Sequence, residues 1–261
     1  MSDPDAIVVG SGPNGLMAAV VLARAGRKVV VLEAADTPGG GTRSAELIQS
    51  GSIHDICSAI HPLALASPAF RTLADDGLLE AHGLDWIHPT VPVAHPLDGG
   101  RAAVLHRSVA ETAASLGADR AAYERLVGPY VDAGFELTDS LLSPLRVPPA
   151  HPVHLARFGL QGLRSAHGLA GRRFDTEEAQ AMFAGLAAHS ILSLRSPATA
   201  AYGIILGVLG LLVGWPMARG GSQQIANAMV GIIEAAGVTV ECGQRVGSLS
   251  ELPSSSAVVL D

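Results

Sequence analysis

Charge is scarce in this chain of 261 residues. Asp, Glu, Lys and Arg together make 16% of it, and the net charge is −7. No basic cluster stands out, which argues against a nucleic-acid-binding protein, because such proteins need a concentrated basic footprint. Cysteine is almost absent. Cys57 and Cys242 lie far apart and form no CxxC pair, so a disulfide framework, a zinc site and a disulfide-reductase pair are not expected. Ten histidines are scattered without HExxH or similar spacing, and no metal site is expected. Internal repeats and low-complexity tails are lacking. With 48% hydrophobic residues the chain is not disordered, and its length allows one large domain or two small ones. The first residues are a polar stub running directly into a strand, without the regions of a signal peptide. The expected location is the cytoplasm.

What is present is concentrated in the first thirty-three residues. Asp5–Gly15 (DAIVVGSGPNG) runs into a helical pattern, and Lys28–Glu33 (KVVVLE) follows. This is a strand, a glycine turn, a helix and a second strand ending in an acid. In that arrangement Gly10 allows the sharp turn, Gly12 lets the backbone approach a pyrophosphate, and Gly15 lets the helix pack close to the sheet. Pro13 and Asn14 complete the turn. The N–H groups and positive dipole end of the helix then face the phosphates. Glu33, followed by Ala34, stands where a carboxylate accepts hydrogen bonds from ribose hydroxyls.

Farther along, Pro38–Arg43 (PGGGTR) is a loop that no regular element tolerates. Phe70–Gly83 reads as a helix, and Trp86–His95 and Ala102–His106 as strands joined by a turn at Asp98-Gly99-Gly100. Ser108–Gly117 and Asp119–Leu142 read as helices, the second interrupted at Gly128-Pro129. Residues 143–152 form a proline-rich connector, and Val153–Arg173 and Thr176–His189 read as helices. Ser222 is the expected N-cap of an amphipathic helix that ends at Gly237. Strands are expected over Val238–Glu241, Gln244–Leu249 and Ser256–Leu260. The pattern predicts an α/β fold. Residues 1–50 and 220–261 form a discontinuous Rossmann-like nucleotide-binding domain, and residues 51–219 an inserted α+β substrate domain. An apolar strand at Ser256–Leu260 also suggests the N-terminal portion of a longer protein.

The opening motif, the glycine loop and Gly214–Gly221 (GWPMARGG) together resemble the phytoene dehydrogenase-like FAD oxidoreductases, relatives of the phytoene desaturases and flavin amine oxidases. The resemblance covers essentially the whole chain and is most specific at residues 5–62 and 214–249. It implies FAD rather than NAD. It places the pyrophosphate over Gly10–Gly15, the adenosine ribose at Glu33, and Gly40, Gly41, Thr42 and Arg43 along the pyrophosphate and ribityl chain. It brings Ser58–His61 towards the flavin and the backbone of Val246 to the adenine. A glycine loop offers N–H groups without bulk, and an arginine supplies fixed positive charge; the alternative for Arg43 is an ordinary surface arginine. His61 either assists a proton transfer or orients the flavin, or it is a structural residue before Pro62. Asp55 reads as a turn residue. Members of this group run to nearly twice this length, with a second glycine-rich segment that this chain does not contain.

The implied reaction takes a hydride from a C–H (or C–N) bond of a small, largely apolar substrate of carotenoid or isoprenoid type onto the flavin, with oxygen, a quinone or another electron acceptor downstream. No catalytic residue is named. An NAD-dependent dehydrogenase is the alternative enzyme, and a non-catalytic nucleotide-binding subunit or scaffold that associates with another chain is the alternative outside enzymes. The uncharged stretch between Arg195 and Arg219 is long enough to span a membrane. A span there would separate strands that share one sheet, so it reads as a buried helix of the inserted domain. Its functional version lines an apolar cavity or touches a membrane surface as a peripheral contact.

Overall fold

The computed structural model describes residues 3–144 and 146–261. The chain opens with β1 (Ala6–Val9), α1 (Pro13–Arg24) and β2 (Val29–Leu32), then two short strands, β3 (Ser44–Ala45) and β4 (His54–Asp55). Three short helices follow, α2 (Pro62–Ala66), α3 (Pro68–Asp75) and α4 (Leu78–Ala81), and then β5 (Trp86–Ile87), β6 (Val93–Leu97) and β7 (Arg101–Leu105). The helical stretch comprises α5 (Val109–Ser115), α6 (Arg120–Asp132), α7 (Glu136–Leu142), α8 (Pro152–Gly162), α9 (Ala166–Arg173), α10 (Glu177–Ala187) and α11 (Thr199–Leu212). The chain closes with β8 (Met217–Ala218), α12 (Gln223–Ala235), β9 (Thr239–Glu241) and β10 (Ala257–Leu260). It divides into two compact units. One holds Met1–Ile60, Arg71–Ile87 and Met217–Asp261, the other His61–Phe70 and His88–Pro216.

The first unit is built on a parallel sheet of order β10-β1-β2-β9. Ile7, Val8 and Val31 are fully buried in it, as the apolar runs of a covered parallel sheet require. Helix α1 packs against α12, burying Leu16, Ala19 and Val20 from one and Ile225, Met229 and Ile233 from the other. This is the α/β, Rossmann-like architecture read from the sequence.

The second unit is mainly helical, with the antiparallel hairpin β6–β7 against α10. Its core gathers Leu126, Tyr130, Leu169, Phe174, Met182, Leu186, Ile204 and Leu209. Helix α11 lies in this core with most of its residues buried. Its glycines are close-approach sites: a Cβ on Gly203 would press on the Phe183 ring at 2.8 Å, and one on Gly210 would reach Leu105 and Trp215. The space beside these two glycines is therefore filled by side chains. Among the described residues, no helix is long and apolar enough to cross a membrane.

Several local expectations need correction. Helix α6 runs through Pro129 and stops near Gly134, which has φ 61°. Proline cannot donate to the carbonyl four residues back, and here the Arg157 side chain takes that carbonyl instead, Nη2 donating to Arg125 O at 3.2 Å. The helix expected over Val153–Arg173 breaks at Leu163–Ser165. Ser165 caps α9 by accepting from Gly168 N, and the carbonyls of Leu163 and Arg164 accept from Ala198 N and Ala200 N. Phe70–Gly83 breaks at Gly77, in the left-handed region. Trp86–His95 is two strands, because Pro89 and Pro92 lack the N–H that continuous pairing needs. Gln244–Leu249 is not a strand; Gln244 N donates to Glu33 O at 2.8 Å, and Gly247 N turns instead to Glu251 Oε2 at 3.0 Å.

Candidate functional site

The first unit has a cleft of about 540 Å³ at the C-terminal ends of its parallel strands, where open α/β sheets bind ligands. The turn from β1 to α1 forms its floor. Gly10 has φ 101°, a conformation that side chains resist. Helix α1 begins at Pro13, and its N-cap is Gly12, which has no side chain to accept from the first N–H groups. The helix start is thus left without an internal cap, a ready anion site. Gly15 is needed for packing: a Cβ there would strike the Gly10 carbonyl oxygen.

The glycine loop closes on this turn. Gly39 N donates to Ser11 O at 2.9 Å, and a Cβ on Gly40 would come within 2.9 Å of Gly12 Cα. Thr42 is buried and its hydroxyl donates to Gly39 O at 2.7 Å, so its side chain holds the loop's shape. Arg43 Nε donates to Gly40 O at 3.1 Å. Ile56 N donates to Arg43 O and Ser58 N to Gly41 O, which fastens the following segment to the loop.

Glu33 is clamped at the end of β2. Its Oε2 accepts from Ser11 N at 2.9 Å and Ser11 Oγ at 2.5 Å, and its Oε1 accepts from Ala35 N at 2.8 Å. Partial burial pushes its pKa up, but these hydrogen bonds and the Arg43 charge outweigh it, so the carboxyl titrates below its ordinary value. An ionised carboxylate is thus fixed in place, with lone pairs left for further donors.

Gly10, Gly12, Pro13, Asn14, Glu33, Ala34, Gly40, Gly41 and Val246 all line the one cleft. Gly15, Thr42 and Arg43 are not among its lining residues; Gly15 meets Gly10, and Thr42 and Arg43 bond to the carbonyls of Gly39 and Gly40. His61 belongs to the second unit. It is buried before α2, makes no side-chain cap to that helix, and its backbone N–H donates to Pro216 O at 3.0 Å.

Six lining residues were not among the expected site residues: Val9 and Leu32 at the strand ends, and Ser11, Gln244, Arg245 and Asp261. Ser11 was legible as the residue inside the GxG turn, but nothing in the spacing shows its bond to Glu33. The Asp261 side chain lies against Gly12 and Gly15, so a carboxylate sits where the helix start favours an anion. Ser222 stands at the N-cap position of α12, as expected, but its side chain does not cap the helix. Its hydroxyl donates to Ser58 O at 2.7 Å, while the N–H groups of Ser222 and Gln223 donate to Asp55 Oδ1 (2.7 Å) and Ser44 Oγ (3.0 Å). Asp55 therefore caps a helix from a distance in sequence. Among the described residues, no group of three His, Cys, Asp or Glu side chains converges to hold a metal ion.

Residues 8–90 match the family described as the NAD(P)-binding Rossmann-like domain. The first unit is a dinucleotide-binding fold. Over 98% of its length the chain is similar to a phytoene dehydrogenase from Streptomyces griseus, with 29% identity and 51% of that protein covered. A limonene dehydrogenase subunit from Castellaniella defragrans matches at 31% identity over 43% of this chain and 19% of its own length. Among solved structures, putrescine oxidase bound to putrescine superimposes with TM-score 0.57 at 22% identity, over 92% of this chain and 51% of the other. An oxidoreductase from Methanosarcina mazei gives TM-score 0.57 at 18% identity, over 91% and 51%. The fold is thus shared with these oxidoreductases, and the chain spans about half the length of the phytoene dehydrogenase it matches.

Proposed function

We propose that this chain is the dinucleotide-holding part of an FAD-dependent oxidoreductase acting on a small, largely apolar substrate of isoprenoid or carotenoid type. The observation that carries the reading is the pairing of an uncapped glycine turn with a clamped, ionised Glu33. The first is built for a diphosphate and the second for ribose hydroxyls. In this reading residues 1–50 and 220–261 form the cofactor domain and residues 51–219 the substrate domain.

The N–H groups after Gly12, at Asn14 and Gly15, hold the diphosphate, with Gly10 and Pro13 setting the turn. Glu33 accepts from the adenosine ribose beside Ala34. Gly40 and Gly41 allow close backbone approach, Thr42 keeps their loop in shape, and Arg43 adds positive charge. Val246 offers backbone to the adenine. By the family resemblance alone, His61 would be a positioning residue for the flavin. When bound, FAD supplies hydride-accepting chemistry, with oxygen, a quinone or another acceptor taking the electrons onward. The protein's part is orientation, electrostatics and exclusion of water.

The substrate class is supported by the relatives' names. The match over 98% of this chain is to a phytoene dehydrogenase, and a second match is to a component of a limonene dehydrogenase. The amine-oxidising relatives, an L-amino-acid oxidase and a putrescine oxidase, align in sequence over only 17% and 15% of the chain, although a putrescine oxidase shares the fold over 92% of it.

The test is the visible absorption spectrum of the purified chain, repeated after heat release of any chromophore. A yellow protein that releases FAD supports the reading. A colourless chain that takes up no added FAD but binds NAD overturns it in favour of an NAD-dependent dehydrogenase.

A further inference from the structure

Three charged side chains line the cleft of the first unit: Glu33, Arg245 and Asp261. Two of them are placed by what they touch. Glu33 is clamped by Ser11 and Ala35, and Asp261 lies against Gly12 and Gly15. Arg245 is the one cation among the described lining residues. Arg43 is set back from the lining, with its Nε held on Gly40 O at 3.1 Å.

The backbone on both sides of Arg245 is fixed. Gly243 N donates to Ala35 O at 3.0 Å and Gln244 N to Glu33 O at 2.8 Å, which carries the pairing of β2 with β9 past the strand ends. On the other side Gly247 N donates to Glu251 Oε2 at 3.0 Å. The side chain itself is exposed. Among the described residues it forms no ion pair and no hydrogen bond. Glu241 and Glu251 share with it the lining of a neighbouring hollow of about 370 Å³, yet neither pairs with it. An anchored arginine is thus left with its planar group available at the rim of the cleft.

The order of the strands says which part of a dinucleotide meets that group. Strands β1, β2 and β9 stand side by side, spaced by about 4.8 Å each. The uncapped helix start follows β1, Glu33 follows β2, and Arg245 follows β9. With a diphosphate at the first position and a ribose at the second, the base falls at the third, about 10 Å from the helix start. The partner of Arg245 is therefore an aromatic ring rather than a phosphate. A guanidinium is planar and weakly hydrated, and it stacks on the faces of such rings.

We propose that Arg245 stacks its guanidinium on the adenine ring and makes the cleft prefer adenine to a smaller pyrimidine base. This rests on the reading of the cleft as an adenine dinucleotide site. It adds selection of the base, which the helix start and Glu33 do not supply, because every ribonucleoside diphosphate carries the groups they bind.

The test is isothermal titration calorimetry of the whole chain with ADP and with UDP, at low and high salt. The two probes share the ribose and the diphosphate, so the ratio of their affinities reads the base alone. ADP is expected to bind about threefold to tenfold more tightly. That ratio should persist at high salt, which screens attraction to the phosphates. Arg245→Ala should abolish the preference, chiefly by weakening ADP. Arg245→Lys keeps the charge without the planar face and should lose most of it. The side chain is exposed and unpaired, so both variants should keep the wild-type thermal midpoint. Equal losses for ADP and UDP in Arg245→Ala, or full recovery in Arg245→Lys, would overturn the proposal in favour of a simple charge acting on the phosphates. ADP binding untouched by both variants would also overturn it, while leaving the reading of the cleft in place. A wild-type chain that binds neither nucleotide would overturn both.

Discussion

Replacing Glu33 by Gln probes the centre of the candidate site. Three donors converge on this carboxylate: Ser11 N and Ser11 Oγ on one oxygen, and Ala35 N on the other. A Gln side chain can turn its single oxygen towards the two Ser11 donors. Its NH2 group then faces the Ala35 N–H, donor against donor. One charge-assisted bond is lost outright and two become neutral. A hydrogen bond to a charged group contributes about 1.5–3 kcal/mol, and partial exposure of the site reduces this, so the expected loss in stability is about 1–2 kcal/mol at neutral pH. The pH dependence carries a sign. The folded carboxyl titrates below its reference value of 4.5. Its contribution is therefore complete above that value and disappears as pH falls through the lower folded one. Urea unfolding of both proteins should show the gap at pH 7 and its closure in acid. Flavin fluorescence quenching should show FAD affinity about tenfold weaker in the variant, as a ribose loses its anionic acceptor. Equal stability at pH 7 together with equal FAD affinity would refute the clamp.

Gly15→Ala places a methyl group against the Gly10 carbonyl oxygen. It should cost about 1–3 kcal/mol of stability by chemical denaturation and weaken FAD binding, because α1 must move off the sheet. Asp261→Asn removes a negative charge beside Gly12 and Gly15. It should raise FAD affinity by about threefold to tenfold at low salt, with the gain shrinking as salt is added; isothermal titration calorimetry reads both. Buried Asp119 accepts from Asp175 N, Thr176 N and Thr176 Oγ1. Burial raises its pKa, yet the Thr176 hydroxyl and the two backbone donors bring it below the ordinary value. Asp119→Ala should lower stability by about 2–4 kcal/mol. In the wild type this contribution should be complete above about pH 4 and lost as acid carries the pH through the lower folded value, which thermal melts over an acid series would show.

The sheet and its glycine turn were legible because their requirements are local. Gly10, Gly12 and Gly15 are spaced for a turn, a close approach and a packed helix, and the terminal acid Glu33 follows at the end of β2. The elements misread were decided by distant partners. Helix α6 survives Pro129 because Arg157, well along the chain, takes the Arg125 carbonyl. Ser222 looks like a cap, but Asp55 and Ser44 meet the N–H groups at the start of α12. The break between α8 and α9 is stabilised by Ala198 and Ala200, which take up the carbonyls it frees. In the site, Ser11 and Asp261 were missed for the same reason, since no spacing rule links residue 11 to residue 33 or residue 261 to residue 12.

The most direct measurement is a crystal structure of the chain grown with FAD. The account predicts the diphosphate over the N-terminus of α1 between Gly12 and Gly15, the adenosine ribose hydroxyls bonded to Glu33, and the Asp261 side chain moved off the turn. A diphosphate bound elsewhere, or a ribose out of reach of Glu33 with the Ser11 clamp intact, would contradict it.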